Sequence, residues 1–216
     1  MSFSFSDIAA IRKDYRLAEL DESVTGDDPL AFFGKWFVEA QAAEVSEVNA
    51  MTLATVSKNS KPHARIVLLK GLDKDGFVFY TNYDSDKGRE IEDNPFGALI
   101  FFWHEVERQV RVEGRVERVS EEENDVYFQS RPEGSKLGAW SSPQSQPIPD
   151  RSILENNYHH YEQQFSGKEI SRPVYWGGYR VIPEKVEFWQ GRSNRMHDRI
   201  VFVRSDAAWK KFRIAP

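Results

Sequence analysis

The chain has 216 residues, 40% of them hydrophobic and 13% aromatic, with a formal net charge of −5. That length sustains one large domain with its own core, and the acidic balance argues against a nucleic-acid partner, so any anion site must be a local basic cluster. The absence of cysteine excludes disulfides, thiolate catalysis, iron–sulfur clusters and Cys-based zinc sites; no apolar run has the length of a signal peptide core or a membrane span, which fits a cytoplasmic protein with no membrane partner.

Residues 5–20 have helical spacing through Ile8, Ile11, Tyr15 and Leu17, which predicts a first helix. The polar stretch 21–28 after it makes residues 1–28 an arm able to move. Asp27-Asp28-Pro29 offers an N-cap followed by proline at the first helical position, opening a helix to about Glu44 with Leu30, Phe33, Trp36, Phe37 and Ala40 on one stripe. From Ala50 the pattern turns to strands at Met51–Val56, His63–Lys70 and Gly76–Asn82, separated by turns at Lys58–Pro62 and Asp73–Gly76. Residues 84–93 read as a short helix stopped by Asn94-Pro95, and Phe96–His104 as an apolar strand. Gln109–Arg118 alternates, with Val110, Val112 and Val116 on an inner face where Gly114 marks a bulge or a close backbone approach. Ser120 to Glu123 is a capping-box start for a helix to about Ser130. A short helix over Gly134–Trp140, a loop over Ser141–Pro149 and an Asp150-capped helix to about Phe165 follow. Tyr175–Ile182, Lys185–Gln190 and Arg195–Arg204 complete the strands, with a fourth at Trp209–Ile214. With no internal repeat and no long linker, the pattern predicts one domain over 1–216, α+β in class: an antiparallel barrel decorated by helices.

Several residue groups carry chemistry. Arg195, His197 and Arg199 alternate, and in a strand residues two apart share a face. Three such groups repel one another unless an anion lies between them; the alternative is a solvated basic edge strand. Arg65 and Lys70 stand five apart near the ends of one strand and so face opposite sides, either holding two different anions or simply ending the strand. Tyr80-Thr81-Asn82 leads to a helix start near Ser85 and Lys87, where free backbone N–H groups favour phosphate. Tyr127, Arg131 and Ser135 have i, i+4, i+8 spacing, but Pro132 breaks the helix, so they curl around a pocket. Hydroxyl, guanidinium and hydroxyl suit a phosphate monoester, and equally a polar helix end. His159 and His160, adjacent on a helix, point about 100° apart and cannot share a metal; no metal is expected.

The string Glu187-Phe188-Trp189-Gln190, four further residues and then Arg195-Met196-His197-Asp198-Arg199 resembles the C-terminal signature of the pyridoxine-5′-phosphate oxidase family, flavin enzymes that make pyridoxal phosphate. Arg65-Ile66-Val67-Leu68-Leu69-Lys70 resembles that family's FMN-contacting segment, and the ending Arg213-Ile214-Ala215-Pro216 is similar to the family's own. The likeness runs from Arg12 to the C-terminus. It implies a split-barrel FMN-binding fold, a homodimer with FMN at the interface, and oxidation of pyridoxine 5′-phosphate or pyridoxamine 5′-phosphate by O2. It implies FMN contacts at Arg65, Ile66, Val67, Leu68, Leu69, Lys70, Tyr80, Thr81, Lys87, Gln109, Gln144, Ser145, Trp189 and Arg199. Lys70, Tyr127, Arg131 and Ser135 would hold the substrate phosphate. Arg195 and His197 would meet the pyridine ring as catalytic residues, and Arg12 and Tyr15 would lie on a segment that closes over the site. One departure stands out: the family commonly has arginine immediately before Lys87, where this chain has Asp86. Either Asp86 turns outward and another base compensates, or FMN is held less tightly. Two other readings remain: another split-barrel flavin reductase, against which the phosphate cradle argues, and a non-catalytic binder of FMN or pyridoxal phosphate.

Overall fold

The computed structural model describes residues 10–206 and 208–216, among which the chain forms five α-helices and nine strands. Strands β1 (Ala50–Val56), β2 (Pro62–Leu68), β3 (Gly71–Leu72), β4 (Phe77–Asn82), β5 (Phe96–Trp103), β6 (Arg108–Arg118) and β7 (Trp176–Gln190) are hydrogen-bonded in the order β2-β1-β5-β6-β7-β4-β3. β7 also pairs with β8 (Asp198–Ser205), which pairs with β9 (Ala208–Arg213). The β1–β2, β3–β4, β4–β7, β7–β8 and β8–β9 pairs are antiparallel. The helices are α1 (Pro29–Ala42), α2 (Asp86–Asp93), α3 (Glu121–Ser130), α4 (Glu133–Ser141) and α5 (Ser152–Gln164). The α+β class read from the sequence is the one that forms. No helix among the described residues is long and apolar enough to cross a membrane.

The chain divides into two compact units, one of Met1–Val48, Ile100–Arg111 and Lys185–Pro216, the other of Asn49–Leu99 and Val112–Glu184. In the first, α1 begins where Asp28 and Pro29 predict: the Asp28 carboxylate accepts from Leu30 N at 2.9 Å. Its apolar stripe is an aromatic core, with Phe32 4.7 Å and Trp36 5.3 Å from Phe188, and Phe33 4.9 Å from Phe101, between ring centroids. Each such ring contributes roughly 1.5–3 kcal/mol by burial. In the second unit, Phe77 and Phe79 of β4 are fully buried. Gly114 marks a close approach, as its place on the inner face predicts: a Cβ there would lie 2.0 Å from the Ile182 carbonyl oxygen. Ser120 and Glu123 form the expected capping box at the start of α3. Asp150 accepts from Ser152 N at 2.7 Å just ahead of α5.

Three expectations are corrected. The helix over 5–20 does not form across the described residues 11–20, which run without regular structure; Ile8 lies outside the described residues. Ile11 and Leu17 are 80% and 63% exposed, so helical spacing there finds no core to pack against, and the backbone instead bonds to Glu107 at Arg16 N and Leu17 N. The strands expected at Tyr175–Ile182 and Lys185–Gln190 are one strand, β7, that changes partner: Trp176–Val181 pairs with β4 and Lys185–Gln190 with β8. Pro183, which lacks a donor, falls between the two ladders. Finally, β8 starts at Asp198, not Arg195. Asn194 and Arg195 have φ of 56° and 61° in a tight 3-10 turn, so Arg195, His197 and Arg199 do not share a strand face.

Candidate active site

In the second unit a cavity of about 470 Å³ opens between β2, β4, the start of α2 and the α3–α4 junction. Ile66, Val67, Leu68, Lys70, Tyr80, Thr81, Lys87, Tyr127, Arg131, Ser135 and Gln144 line it, and so do Asn82 and Pro132, which the sequence marked as a strand end and a helix break, and Trp176, which it did not single out. β2 ends the strand order, which leaves Ile66 65% and Leu68 38% exposed as an apolar wall. Pro132 separates α3 from α4, and the chain bends there enough to bring Tyr127, Arg131 and Ser135 to one cavity.

Neither Lys87 nor Arg131 makes an ion pair among the described residues. Lys87 Nζ donates to Thr81 Oγ1 at 3.3 Å, Ser85 Oγ at 3.2 Å and Gln144 Oε1 at 3.0 Å, all neutral oxygens. Burial, helped by the charge of Arg65, pushes its pKa down to about 8. Arg131 lies 4.4 Å above the Trp176 ring. One of its terminal nitrogens is buried with no partner, and burial lowers its pKa. Tyr80 and Tyr127 stack at 3.8 Å, and Trp176 continues the stack 5.4 Å from Tyr80. Burial raises the Tyr80 pKa to about 12 and raises that of Tyr127, so both phenols are neutral donors near pH 7. An orphaned guanidinium N–H and a desolvated ammonium are costly unless an anion satisfies them. Beside an apolar wall and stacked rings, this donor set fits a phosphorylated aromatic cofactor or substrate.

Other residues picked from the sequence lie elsewhere. Arg65 does not line the cavity: it donates to Glu90 Oε2 at 3.0 Å and to Thr55 Oγ1. Glu90 also accepts from Thr55 Oγ1 and faces His63 Nδ1. Leu69 is buried, its N–H bonded to the Asn49 carbonyl, and Ser145 is exposed at φ 68°. Asp86 is exposed and pairs with Arg89 at 2.6 Å, so it turns outward, and the cations lining the cavity are Lys70, Lys87 and Arg131. His159 and His160 are both exposed on α5.

The first unit holds a second cavity, of about 580 Å³, lined by Ile11, Arg12, Lys13, Asp14, Tyr15, Arg192, Asn194, Arg195 and His197. Arg12 and Tyr15 therefore meet Arg195 and His197 across some 180 residues of chain. The Trp189 ring lies 4.7 Å from His197 and 5.7 Å from Tyr15. Arg192 N donates to His197 Nδ1 at 3.1 Å. A backbone N–H can only donate, so Nδ1 is unprotonated and the neutral ring carries its proton on Nε2. Burial and the Arg195 charge lower the His197 pKa, which keeps it in that form. Arg199, expected beside them, is turned to the buried Glu187 carboxylate at 2.8 Å, because the β7–β8 register sets it opposite Trp189. Gln109 is half-buried on β6 and lines neither cavity.

A family model described as pyridoxamine 5′-phosphate oxidase matches residues 37–165, and one described as the pyridoxine 5′-phosphate oxidase C-terminal dimerisation region matches 176–216. The chain is 57% identical over 210 residues to a pyridoxine/pyridoxamine 5′-phosphate oxidase of Leptospira interrogans, covering 97% of this chain and 98% of the relative. It is 53% identical to one of Rubrobacter xylanophilus, covering 97% of each. Among solved structures it resembles PhzG from Burkholderia lata in complex with tetrahydrophenazine-1-carboxylic acid, with TM-score 0.88 and 26% identity over 94% of this chain and 100% of that one. A pyridoxamine 5′-phosphate oxidase-related FMN-binding protein from Nostoc punctiforme, at TM-score 0.69 and 18% identity over 88% of this chain and 98% of that one, shares the fold, the split barrel.

Proposed function

Since this chain belongs to the pyridoxine/pyridoxamine 5′-phosphate oxidase family and is an oxidoreductase, we propose that it binds FMN and oxidises pyridoxine 5′-phosphate and pyridoxamine 5′-phosphate to pyridoxal 5′-phosphate. The observation that carries the substrate assignment is Arg131: a buried guanidinium nitrogen without a partner, lining one cavity with Tyr127, Ser135 and Lys70. Such a cradle suits a phosphate monoester. Binding energy from that remote phosphate is available to position the reacting carbon.

Lys87, Thr81 and Gln144 would hold the FMN phosphate, and Ile66 to Leu68 would flank its ring system. Arg65, held by Glu90, lowers the Lys87 pKa and so acts on that region through its charge. The bound FMN would accept a hydride from C4′ at N5 and pass the electrons to O2, giving hydrogen peroxide. Arg195 and His197 would contact the pyridine ring. Arg195 supplies positive charge as the substrate hydroxyl loses its proton, and His197 acts as a donor through Nε2–H rather than as the base at that nitrogen. Arg12 and Tyr15 close the same wall. The match to the C-terminal dimerisation region supports a homodimer, with FMN at its interface and a cytoplasmic setting as part of this reading.

The test is the absorbance spectrum of the purified protein, followed by pyridoxine 5′-phosphate without oxygen. A bound yellow flavin should bleach and recover with peroxide when air is admitted. A flavin that stays oxidised would point to another substrate or to a carrier, and a protein that takes up no FMN would end the proposal.

A further inference from the structure

We propose that Glu107, a residue outside both cavities, is a positioning residue that holds the segment 11–17 as a strap over the cavity of Arg195 and His197. The proposal rests on the oxidase reading for the strap's role in substrate binding, but not for the strap itself. The Glu107 side chain is only 3% exposed. Its Oε2 accepts two strap N–H groups, from Arg16 at 2.9 Å and Leu17 at 3.0 Å, and its Oε1 lies 3.8 Å from Lys13 Nζ. Its own carbonyl accepts from Gly191 N at 2.8 Å and Gln190 Nε2 at 3.1 Å. One residue thus joins the strap to the segment leading into the Arg192–His197 turn.

Two further observations show a built arrangement. Glu107 has φ 54°, a left-handed conformation uncommon for a residue with a side chain. Gly191 lets the strap seat closely: a Cβ there would lie 2.7 Å from Cγ of Tyr15. A buried carboxylate spent on two backbone donors has no catalytic part to play. It fixes where Arg12 and Tyr15 stand, since the strap has no helix or strand of its own to do so.

The strap contains its own reporter. Trypsin cuts after Arg16, and the amide it must reach, Leu17 N, is one of the two that Glu107 holds. Glu107→Gln removes the charge and leaves at most one neutral acceptor. Cleavage after Arg16 should quicken by about tenfold, with the melting temperature and FMN affinity close to wild type, and bound pyridoxal 5′-phosphate should slow it. The KM for substrate should rise by about tenfold with a smaller change in kcat. In an Arg12→Ala background the same substitution should add little to KM, because both act through one element. Unchanged cleavage and KM, fully additive KM effects, or a general loss of stability and FMN would each overturn the proposal. If the wild-type protein oxidises no substrate, the oxidase reading fails, while the cleavage rate still decides whether Glu107 holds the strap.

Discussion

The two cavities use similar residues and arrive at different electrostatic states. In the second unit Lys87 and Arg131 are half-buried against neutral oxygens and aromatic faces, with no ion pair to either among the described residues, so their charges are poorly solvated. In the first unit two of the cations lining the cavity are paired, Arg192 with Glu19 at 2.5 Å and Lys13 with Glu107 at 3.8 Å, and Arg199 is drawn away from it to Glu187 at 2.8 Å. His197 is neutral and aimed by a backbone N–H. One cavity is therefore strained toward an anion that would relieve it. The other is a positioned wall, set by backbone geometry and pairing. Phosphate anchoring calls for the first kind of site, and orientation of a reacting ring for the second.

The largest expected effect tests the strained cavity. Arg131→Ala should weaken pyridoxal 5′-phosphate binding by roughly 2–5 kcal/mol, about thirtyfold or more, when titrated calorimetrically. The melting temperature of the ligand-free protein should hold or rise, since an unsatisfied buried group is removed. Unchanged affinity would take Arg131 out of the site.

In the positioned wall, Arg195→Ala should slow single-turnover flavin reduction by about a hundredfold, followed by anaerobic stopped-flow absorbance, without changing FMN affinity. The wild-type rate should fall only below the ordinary histidine pKa of 6.5, because His197 is held below it. Protonation there would cost the Arg192 N–H bond. Removing the Arg195 charge should move that acid limb upward; a limb that stays put would separate the two residues.

A smaller effect is linked to pH. The Lys87 pKa falls from 10.5 to about 8 in the folded protein. The unfolded chain thus binds more protons between those values, and the ligand-free protein should gain stability as pH rises from about 8 toward 10.5. FMN binding needs the charged form, so affinity should decline as pH rises through about 8. Urea melts and flavin fluorescence titrations compared with Lys87→Met should show both slopes lost in the variant. The smallest effect is at Asp86, exposed and paired with Arg89: Asp86→Asn should change stability by less than about 1 kcal/mol and FMN affinity by less than about threefold. A larger gain in affinity would mean that Asp86 does reach the anion site.

Much of this was legible from local rules. Asp28-Pro29 starts α1, Ser120 with Glu123 starts α3, and Pro132 breaks the helix between Arg131 and Ser135; each depends on residues within a turn of one another. The valine alternation of β6 and the close approach at Gly114 were equally local. The motif from Glu187 to Arg199 pointed to the family, and the family is shown. Trp176 had no signal, since a tryptophan beside two glycines reads as core, yet it carries Arg131.

The sequence by itself determined the element order, the caps, the strand periodicity and the residue types of an anion site, because those follow from backbone preferences and side-chain chemistry over a few residues. Only the tertiary structure decided which cations go unpaired. The β7–β8 register brings Arg199 to Glu187, β7 runs through Pro183 by changing partners, and residues 11–17 lie outside any helix or strand where Glu107, about ninety residues away, takes the N–H groups of Arg16 and Leu17. Pairing between distant segments is settled by competition among whole elements for partners, which no short window of sequence contains.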